Sequence, residues 1–208
     1  ERLPGSGVDL SRFVPSEKPT HEVDLPPVFL LVARMLWDKG VGEYIEAARE
    51  VRKRFPDVRF QLLGSVDVAN PSAISRDQVN AWVDEGVVEY SGHTDDVRPW
   101  LAQADCVVLP SYREGVPRTL LEAGAMARPI VTTDAPGCRD TVIDGETGWL
   151  CEPANARDLT EKLFKILALS PSERMDMGQR GRVFIETNFD EKLVLQRYLD
   201  LVSELVAV

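Results

Sequence analysis

Short, almost purely apolar runs recur along the chain, and most are followed by a longer stretch in which apolar residues return every three or four positions. A short apolar run rich in β-branched residues is typical of a strand buried on both faces of a parallel sheet. The longer stretches have the period of an amphipathic helix. The runs predict six strands, at 27–33, 58–63, 87–90, 105–110, 128–133 and 149–151.

The stretches between and after these runs predict helices at 41–55, 74–85, 97–104, 118–126, 156–168, 170–186 and 190–206. In the helix at 74–85 the spacing predicts that Val79, Trp82 and Val83 face the core. Alternation of strands and helices predicts an α/β fold, a doubly wound parallel sheet of about six strands with helices on both faces.

Several helix starts carry their own sequence signals. Ser170 is followed by Pro171, an N-cap residue before a proline at the first helical position. Asn155 can cap the helix at 156–168, and Asp95 or Asp96 can cap the helix at 97–104. No repeat of 20 to 50 residues appears beyond the strand–helix rhythm, so we expect one domain.

We divide the 208 residues into a loop-rich lead-in at 1–26, a sheet domain at 27–189 and a helical C-terminal extension at 190–208. The first residue is Glu1 rather than methionine, so we expect the chain to be a piece of a longer protein. No apolar run approaches the ~20 residues of a membrane-spanning helix. The cysteines Cys106, Cys138 and Cys151 lack metal-ligand spacing, and Cys106 lies in a buried-strand pattern, so reduced thiols are expected.

The formal net charge of −10 argues against a nucleic-acid partner, because binding to phosphates requires a basic face. Local cations matter more than this sum. We expect six of them to gather at the turns on one edge of the sheet: Arg34, Lys39, Arg113, Arg118, Arg128 and Arg139.

The stretch from Ser111 to Ala125 is the strongest candidate for chemistry. It follows a predicted strand, turns at Gly115, and enters a helix with Pro117 at the expected first helical position. Free backbone N–H groups at a helix N-terminus form an anion site. Two carboxylates, Glu114 and Glu122, flank that site. They would repel a bare phosphate but suit a ligand with hydroxyls around its phosphates, such as a nucleotide sugar.

Two more cations follow the first predicted strand. Arg34 and Lys39 lie on the strand-to-helix loop, at the edge where open α/β sheets bind their ligands. A pair of cations there suits a diphosphate. The fingerprint G-x-G-x-x-G of dinucleotide binding is absent.

These residues resemble a known family. Glu114 and Glu122, with seven residues between them, match the E-x7-E pattern of the retaining glycosyltransferases of family 4, which have two Rossmann-like domains (the GT-B architecture). The flanking sequence 111–123 and the segments 128–134 and 137–139 make the resemblance more specific. It extends from about Pro4 to the end and implies a donor-binding C-terminal domain, close to bacterial capsule and surface-polysaccharide transferases.

The resemblance implies a role for each matching position. Arg34 and Lys39 would bind the donor diphosphate and stabilise the leaving nucleotide, and Glu114 would orient sugar hydroxyls. Glu122 would accept from both ribose hydroxyls, since one carboxylate can serve vicinal donors. The loop with Gly92 and His93 would border the base. The turn into the helix would complete the donor site: Gly115, Val116, Pro117, Arg118 and Thr119.

The family also implies the substrates and the setting. The donor would be a nucleotide sugar, UDP-linked and carrying a hexose or N-acetylhexosamine, transferred with retention of configuration. The acceptor, a saccharide or a polyprenyl-linked sugar, would bind a missing N-terminal domain, toward which residues 190–208 would pack. The chain alone would transfer no sugar. No metal or other cofactor is expected, because the cations serve the diphosphate and no Asp-x-Asp pattern occurs. The location would be cytoplasmic, at the inner membrane face.

Three alternatives remain open on the sequence. The chain could belong to another enzyme of the same architecture, such as a sugar-nucleotide epimerase or a starch- or sucrose-type synthase. It could be a non-catalytic sugar-nucleotide-binding module, although a scaffold would not need all of Arg34, Lys39, Glu114 and Glu122. A response-regulator or flavodoxin-like domain fits poorly, because Arg34 stands where an acidic pocket would be expected.

Overall fold

A single parallel sheet organises the chain in the computed structural model, which describes residues 5–16 and 25–206. Its strands are β1 Val28–Val32, β2 Arg59–Leu63, β3 Glu89–Tyr90, β4 Cys106–Leu109, β5 Ile130–Thr133 and β6 Gly148–Cys151. All neighbouring strands pair in parallel, in the order β3-β2-β1-β4-β5-β6. The direction of connection therefore reverses between β1 and β4, which is the topological switch point of such a sheet.

In the described ranges seven helices cover the sheet, together with 3-10 turns at Trp37–Lys39 and Arg139–Thr141. The helices are α1 Val41–Arg54, α2 Arg76–Asp84, α3 Arg98–Gln103, α4 Arg118–Ala125, α5 Ala156–Ala168, α6 Pro171–Phe189 and α7 Glu191–Val206. Alternate residues of β1 divide between two cores, because side chains of a strand point to opposite faces. Phe29 and Leu31 pack with α1, α2 and α5, whereas Leu30 packs with α3, α4 and α6. The predicted doubly wound α/β fold is confirmed.

The predicted helix starts hold at α5 and α6 and need correction elsewhere. Asn155 accepts from the N–H of Asp158, and Ser170 forms a capping box with Glu173. At α3 the N-cap position belongs to Val97, although the Asp96 carboxylate accepts from the N–H of Arg98 at 3.1 Å.

Two predictions about residues at helix ends are wrong. Pro117 is the N-cap of α4 rather than its first residue, with an extended backbone at φ −72° and ψ 115°. Val83 is 38% exposed, although Val79 and Trp82 of the same helix are buried. Because α2 ends at Asp84, its last turn lies at the rim of the core and one apolar residue faces outward.

Part of the lead-in is built into the core. Val8 and Phe13 are each only 4% exposed, and Val8 pairs with Asp190 at the junction of α6 and α7. Arg182 of α6 donates through Nη1 to the carbonyl oxygens of Phe13 (2.6 Å) and Ala125 (2.5 Å). Residues 5–16 are thereby fixed on α4 and α6. The remaining lead-in positions, 1–4 and 17–24, lie outside the described residues, as do positions 207–208 of the extension.

The extension α7 carries a row of exposed apolar side chains. Leu195, Leu199 and Val202 are each more than half exposed, whereas Val194 is buried. Within the described residues no helix is both long enough and apolar enough to cross a bilayer. The three cysteines are free and buried, and Cys106 lies inside β4 as its pattern predicted.

Candidate functional site

The loops that follow β1 and β4 leave the sheet side by side at the switch point, and hydrogen bonds join them. The N–H of Tyr112 donates to the carbonyl oxygen of Asp38 at 3.0 Å, and the hydroxyl of Ser111 donates to the same oxygen at 3.1 Å. Ser111 is fully buried, so this contact is shielded from water. The two loops therefore form one surface at the carboxyl edge of the sheet.

The loop after β5 supports this surface from the other side. The N–H of Glu114 donates to the carbonyl oxygen of Pro136 at 3.1 Å. The next residue, Gly137, has φ +82°, and a Cβ there would lie 2.0 Å from the carbonyl oxygen of Gly115. Only glycine combines that backbone conformation with so close an approach. The loop after β5 therefore holds the backbone of Glu114 and Gly115 in place.

Lys39 and Glu114 meet at the centre of the surface. Lys39 Nζ lies 2.6 Å from Glu114 Oε1, and the two side chains are 15% and 17% exposed. The residues are 75 positions apart in the chain, and each is brought there by its own strand. An ion pair that is shielded from water interacts more strongly than one on the surface, because the local dielectric is lower. Two of the predicted site residues are thus in direct contact.

The start of α4 presents unpaired donors beside this ion pair. Pro117 accepts from the N–H groups of Leu120 and Leu121, which satisfies those two. Nothing in residues 5–16 or 25–206 accepts a hydrogen bond from the N–H groups of four neighbours: Gly115, Val116, Arg118 and Thr119. Such a group of donors at the positive end of a helix binds an anion. The backbone donors predicted at this turn are thus available in the described residues, except at Pro117, which has no N–H, and their binding of an anion stays a prediction.

Glu122 lies one turn into α4, on its shielded side. Its side chain is 14% exposed. Arg118 Nη2 lies 3.8 Å from its Oε1, and the Arg118 side chain is 72% exposed. Burial raises the pKa of the Glu122 carboxyl, and the charges of Arg118 and Arg12 oppose that rise. No sequence pattern pointed to Arg12 as a neighbour of Glu122. It belongs to the lead-in, and the packing of Phe13 carries it toward α4.

Arg34 lines a cleft of about 210 Å³ next to the loop after β3. Its guanidinium makes no hydrogen bond or ion pair with the described part of the chain, and the side chain is exposed. His93 lines the same cleft and is 64% exposed, with Nε2 3.5 Å from Asp95. The N–H of Gly64 donates to the carbonyl oxygen of Gly92 at 2.7 Å, which fixes the loop. The cleft has apolar walls, contributed by Val32, Ala33, Leu63 and Val97.

One predicted cation lies elsewhere. Arg128 precedes β5, so it lies at the amino end of the parallel strands, opposite the other five cations. There its guanidinium donates to the carbonyl oxygens of Ala104 (3.4 Å) and Ser16 (2.5 Å). Burial lowers its pKa. The prediction that Arg128 lies at the site edge is wrong, because a residue that precedes a parallel strand lies at the opposite edge of the sheet from one that follows it. Arg139 does follow β5, and it pairs with Asp134 at 2.7 Å.

The six-stranded parallel sheet with its switch point is the architecture of one half of a GT-B glycosyltransferase. The family model "Glycosyl transferases group 1" matches residues 26–168. The chain therefore belongs to the group 1 glycosyltransferases, of the family 4 type.

Similar proteins agree with this assignment. The chain is 33% identical over 209 residues to the N,N'-diacetylbacillosaminyl-diphospho-undecaprenol alpha-1,3-N-acetylgalactosaminyltransferase of Campylobacter jejuni, covering 96% of the chain and 53% of that protein. Sucrose-phosphate synthase from Thermosynechococcus elongatus has the same fold (TM-score 0.84, 27% identity), with 99% of the chain and 53% of that structure covered. The chain thus spans about half the length of these relatives.

A third similarity concerns an isolated domain. The C-terminal domain of the group 1 protein LpcC from Francisella tularensis aligns with a TM-score of 0.74 and 26% identity. The alignment covers 88% of the chain and 99% of that structure. The chain has the size of such a C-terminal domain.

Proposed function

We propose that this chain is the donor half of a retaining glycosyltransferase and binds a UDP-linked hexose or N-acetylhexosamine. The observation that carries the proposal is the Lys39–Glu114 ion pair beside four N–H groups at the start of α4 that have no acceptor among residues 5–16 and 25–206. Cations and backbone donors suit a diphosphate, and carboxylates suit the hydroxyls on either side of it. The name of the Campylobacter relative favours an N-acetylhexosamine and a lipid-diphosphate-linked acceptor.

Each part of the donor has a matching part of the site. Arg34 and Lys39 bind the diphosphate, where negative charge accumulates as the glycosidic bond breaks. Arg34 has no partner within the described residues, so its guanidinium is available for this contact. Glu114 binds sugar hydroxyls, and Glu122 binds the ribose. The cleft at Gly92 and His93 receives the base between its apolar walls. In this proposal the cationic side chains stabilise the leaving diphosphate, so no divalent metal is required.

The other half of the reaction belongs to a second domain. The relatives are about twice as long as this chain, so the acceptor site is proposed to lie in an N-terminal half, at the inner face of the cytoplasmic membrane. The exposed apolar side chains of α7 would pack toward that half. On this view the 208-residue chain binds donor and transfers no sugar by itself.

Calorimetric titration of the chain with UDP, GDP, ADP and their hexose conjugates tests the proposal. We expect saturable binding of one base, with the same affinity in the presence and absence of a chelator. Failure of every nucleotide to bind would overturn the proposed function, and loss of binding with the chelator would overturn its metal independence. Binding of GDP or ADP alone would correct the base and leave the site assignment standing.

The raised pKa of Glu122 predicts a pH dependence of donor binding. The ionised carboxylate accepts from both ribose hydroxyls, whereas the protonated form loses one acceptor. Affinity for UDP-N-acetylgalactosamine is therefore expected to be constant at neutral pH and to fall as the pH is lowered through the pKa of Glu122. Because burial raises that pKa, the fall begins above the pH of about 4.3 at which an exposed glutamate titrates.

The nucleotide sugar is the right probe for this measurement, because the terminal phosphate of UDP itself titrates near pH 6. The control is Glu122→Gln, which should bind more weakly at neutral pH and lack the fall in affinity. If the affinity of Glu122→Gln falls at low pH as it does in the wild type, the titration belongs to another group.

A further inference from the structure

The Lys39–Glu114 ion pair sets up a competition for a bound diphosphate. Lys39 Nζ and Glu114 Oε1 are in contact at 2.6 Å, so any phosphate oxygen that approaches the ammonium also approaches the carboxylate. Both side chains are more than four-fifths shielded from water. Like charges close together in such a place repel strongly, since little solvent screens them.

Glu114 cannot easily avoid this encounter. Its N–H is bonded to the carbonyl oxygen of Pro136, and Gly137 packs against the carbonyl oxygens of Glu114 and Gly115. Lys39 is the last residue of a 3-10 turn. The turn ends at Gly40, whose N–H donates to the carbonyl oxygen of Trp37. The backbones on both sides are therefore fixed. A diphosphate that draws Lys39 away leaves the carboxylate where it is, shielded and without its cation.

Only a ligand with donors can then satisfy the carboxylate. A nucleoside diphosphate ends in phosphate oxygens, which accept hydrogen bonds and carry negative charge. A nucleotide sugar places hydroxyls beyond the second phosphate, and these can donate to Glu114. A carboxylate that is largely shielded from water and has lost its cation is costly, and a hydrogen-bond donor reduces that cost.

We infer that Glu114 makes the site discriminate between the intact nucleotide sugar and the nucleoside diphosphate left after transfer. The carboxylate opposes the diphosphate and is compensated only when the sugar is attached. Loss of the sugar removes that compensation, so the product is released rather than retained. This inference rests on the proposed donor site and adds a function for its ion pair.

The test compares UDP with UDP-N-acetylgalactosamine on the wild-type chain and on Glu114→Gln, at one ionic strength. Glutamine keeps the shape of the side chain and removes its charge. We expect the affinity for UDP to rise about tenfold and the affinity for the nucleotide sugar to stay level or fall. The preference for the sugar conjugate over UDP should therefore drop at least tenfold. Glu114→Ala, which also lacks the charge, should show the same gain for UDP.

Glu122→Gln is the matched control, because it removes a carboxylate from the same site without touching Lys39. It should weaken both ligands by similar factors and leave their ratio unchanged. If Glu114→Gln or Glu114→Ala folds and UDP binds no more tightly than to the wild type, the inference is wrong and the donor site stands. If the wild-type chain binds no nucleotide of any base, the donor site and the inference both fail. If another base binds, the same comparison applies to that pair of ligands.

Discussion

Gly137→Ala is expected to destabilise the chain and to abolish donor binding. The residue has φ +82°, where a side chain costs ~1–2 kcal/mol. The new Cβ would lie 2.0 Å from the carbonyl oxygen of Gly115 and 2.4 Å from that of Glu114, and relieving such a clash costs a further ~1–3 kcal/mol. A total near 3 kcal/mol lowers Tm by ~6–12 °C in a domain of this size. Thermal unfolding and nucleotide titration measure the two effects.

Gly86→Ala separates the cost of the backbone conformation from the cost of the steric clash. Gly86 has φ +75° and nothing within 4 Å of its would-be Cβ, and it lies in the turn between α2 and β3, away from the site. This variant should be destabilised only by the cost of a side chain at positive φ, so it should lose less stability than Gly137→Ala. Its affinity for the donor should be unchanged. If Gly137→Ala were no less stable than Gly86→Ala and bound donor normally, the close approach at Gly137 would not be supporting Glu114.

Arg34→Ala is expected to weaken binding of the nucleotide ~10- to 100-fold while leaving the fold intact. A charge-assisted contact to phosphate contributes ~1.5–3 kcal/mol, which corresponds to at least a factor of ten in affinity. The exposed guanidinium has no partner within the described residues, so its loss should change the free energy of unfolding by less than ~0.5 kcal/mol. Calorimetric titration and denaturant unfolding test the two statements separately.

Arg157→Ala provides the comparison, since it removes one positive charge from α5, where the side chain is 90% exposed. It should leave both affinity and stability unchanged. Equal weakening by the two variants would mean that Arg34 contributes only to net charge. No weakening by Arg34→Ala would place the diphosphate elsewhere. Arg34→Lys should recover part of the affinity, because an ammonium keeps the charge but not the forked donors.

Much of the fold followed from local pattern. Continuous apolar runs located all six strands to within about two residues, and capping signals located the starts of α5 and α6. The errors fall where a local pattern does not fix direction or surroundings. Val83 has helical spacing but lies at the rim of the core, and Arg128 has the same local appearance as Arg139 but precedes its strand instead of following it.

The sequence predicts which residues belong to the candidate site but not which of them are in contact. The spacing of Glu114 and Glu122 places one carboxylate on the loop and the other in the second turn of α4, as observed. Nothing in the sequence indicated that Lys39 is the partner of Glu114, or that Gly137 packs against the loop that carries it. The roles of these residues with a donor remain predictions, to be tested by the titrations above.

The α/β class, the family resemblance and the segments that bear the cations and carboxylates can be predicted from local pattern, because burial period, capping and motif spacing are properties of neighbouring residues. Which of these groups meet depends on the three-dimensional packing of the chain. The Lys39–Glu114 contact spans 75 positions, and the lead-in residue Arg12 acts on Glu122 from across the fold. Both depend on how closely loops from different strands approach, which is set by strand order and by packing at Phe13 and Gly137.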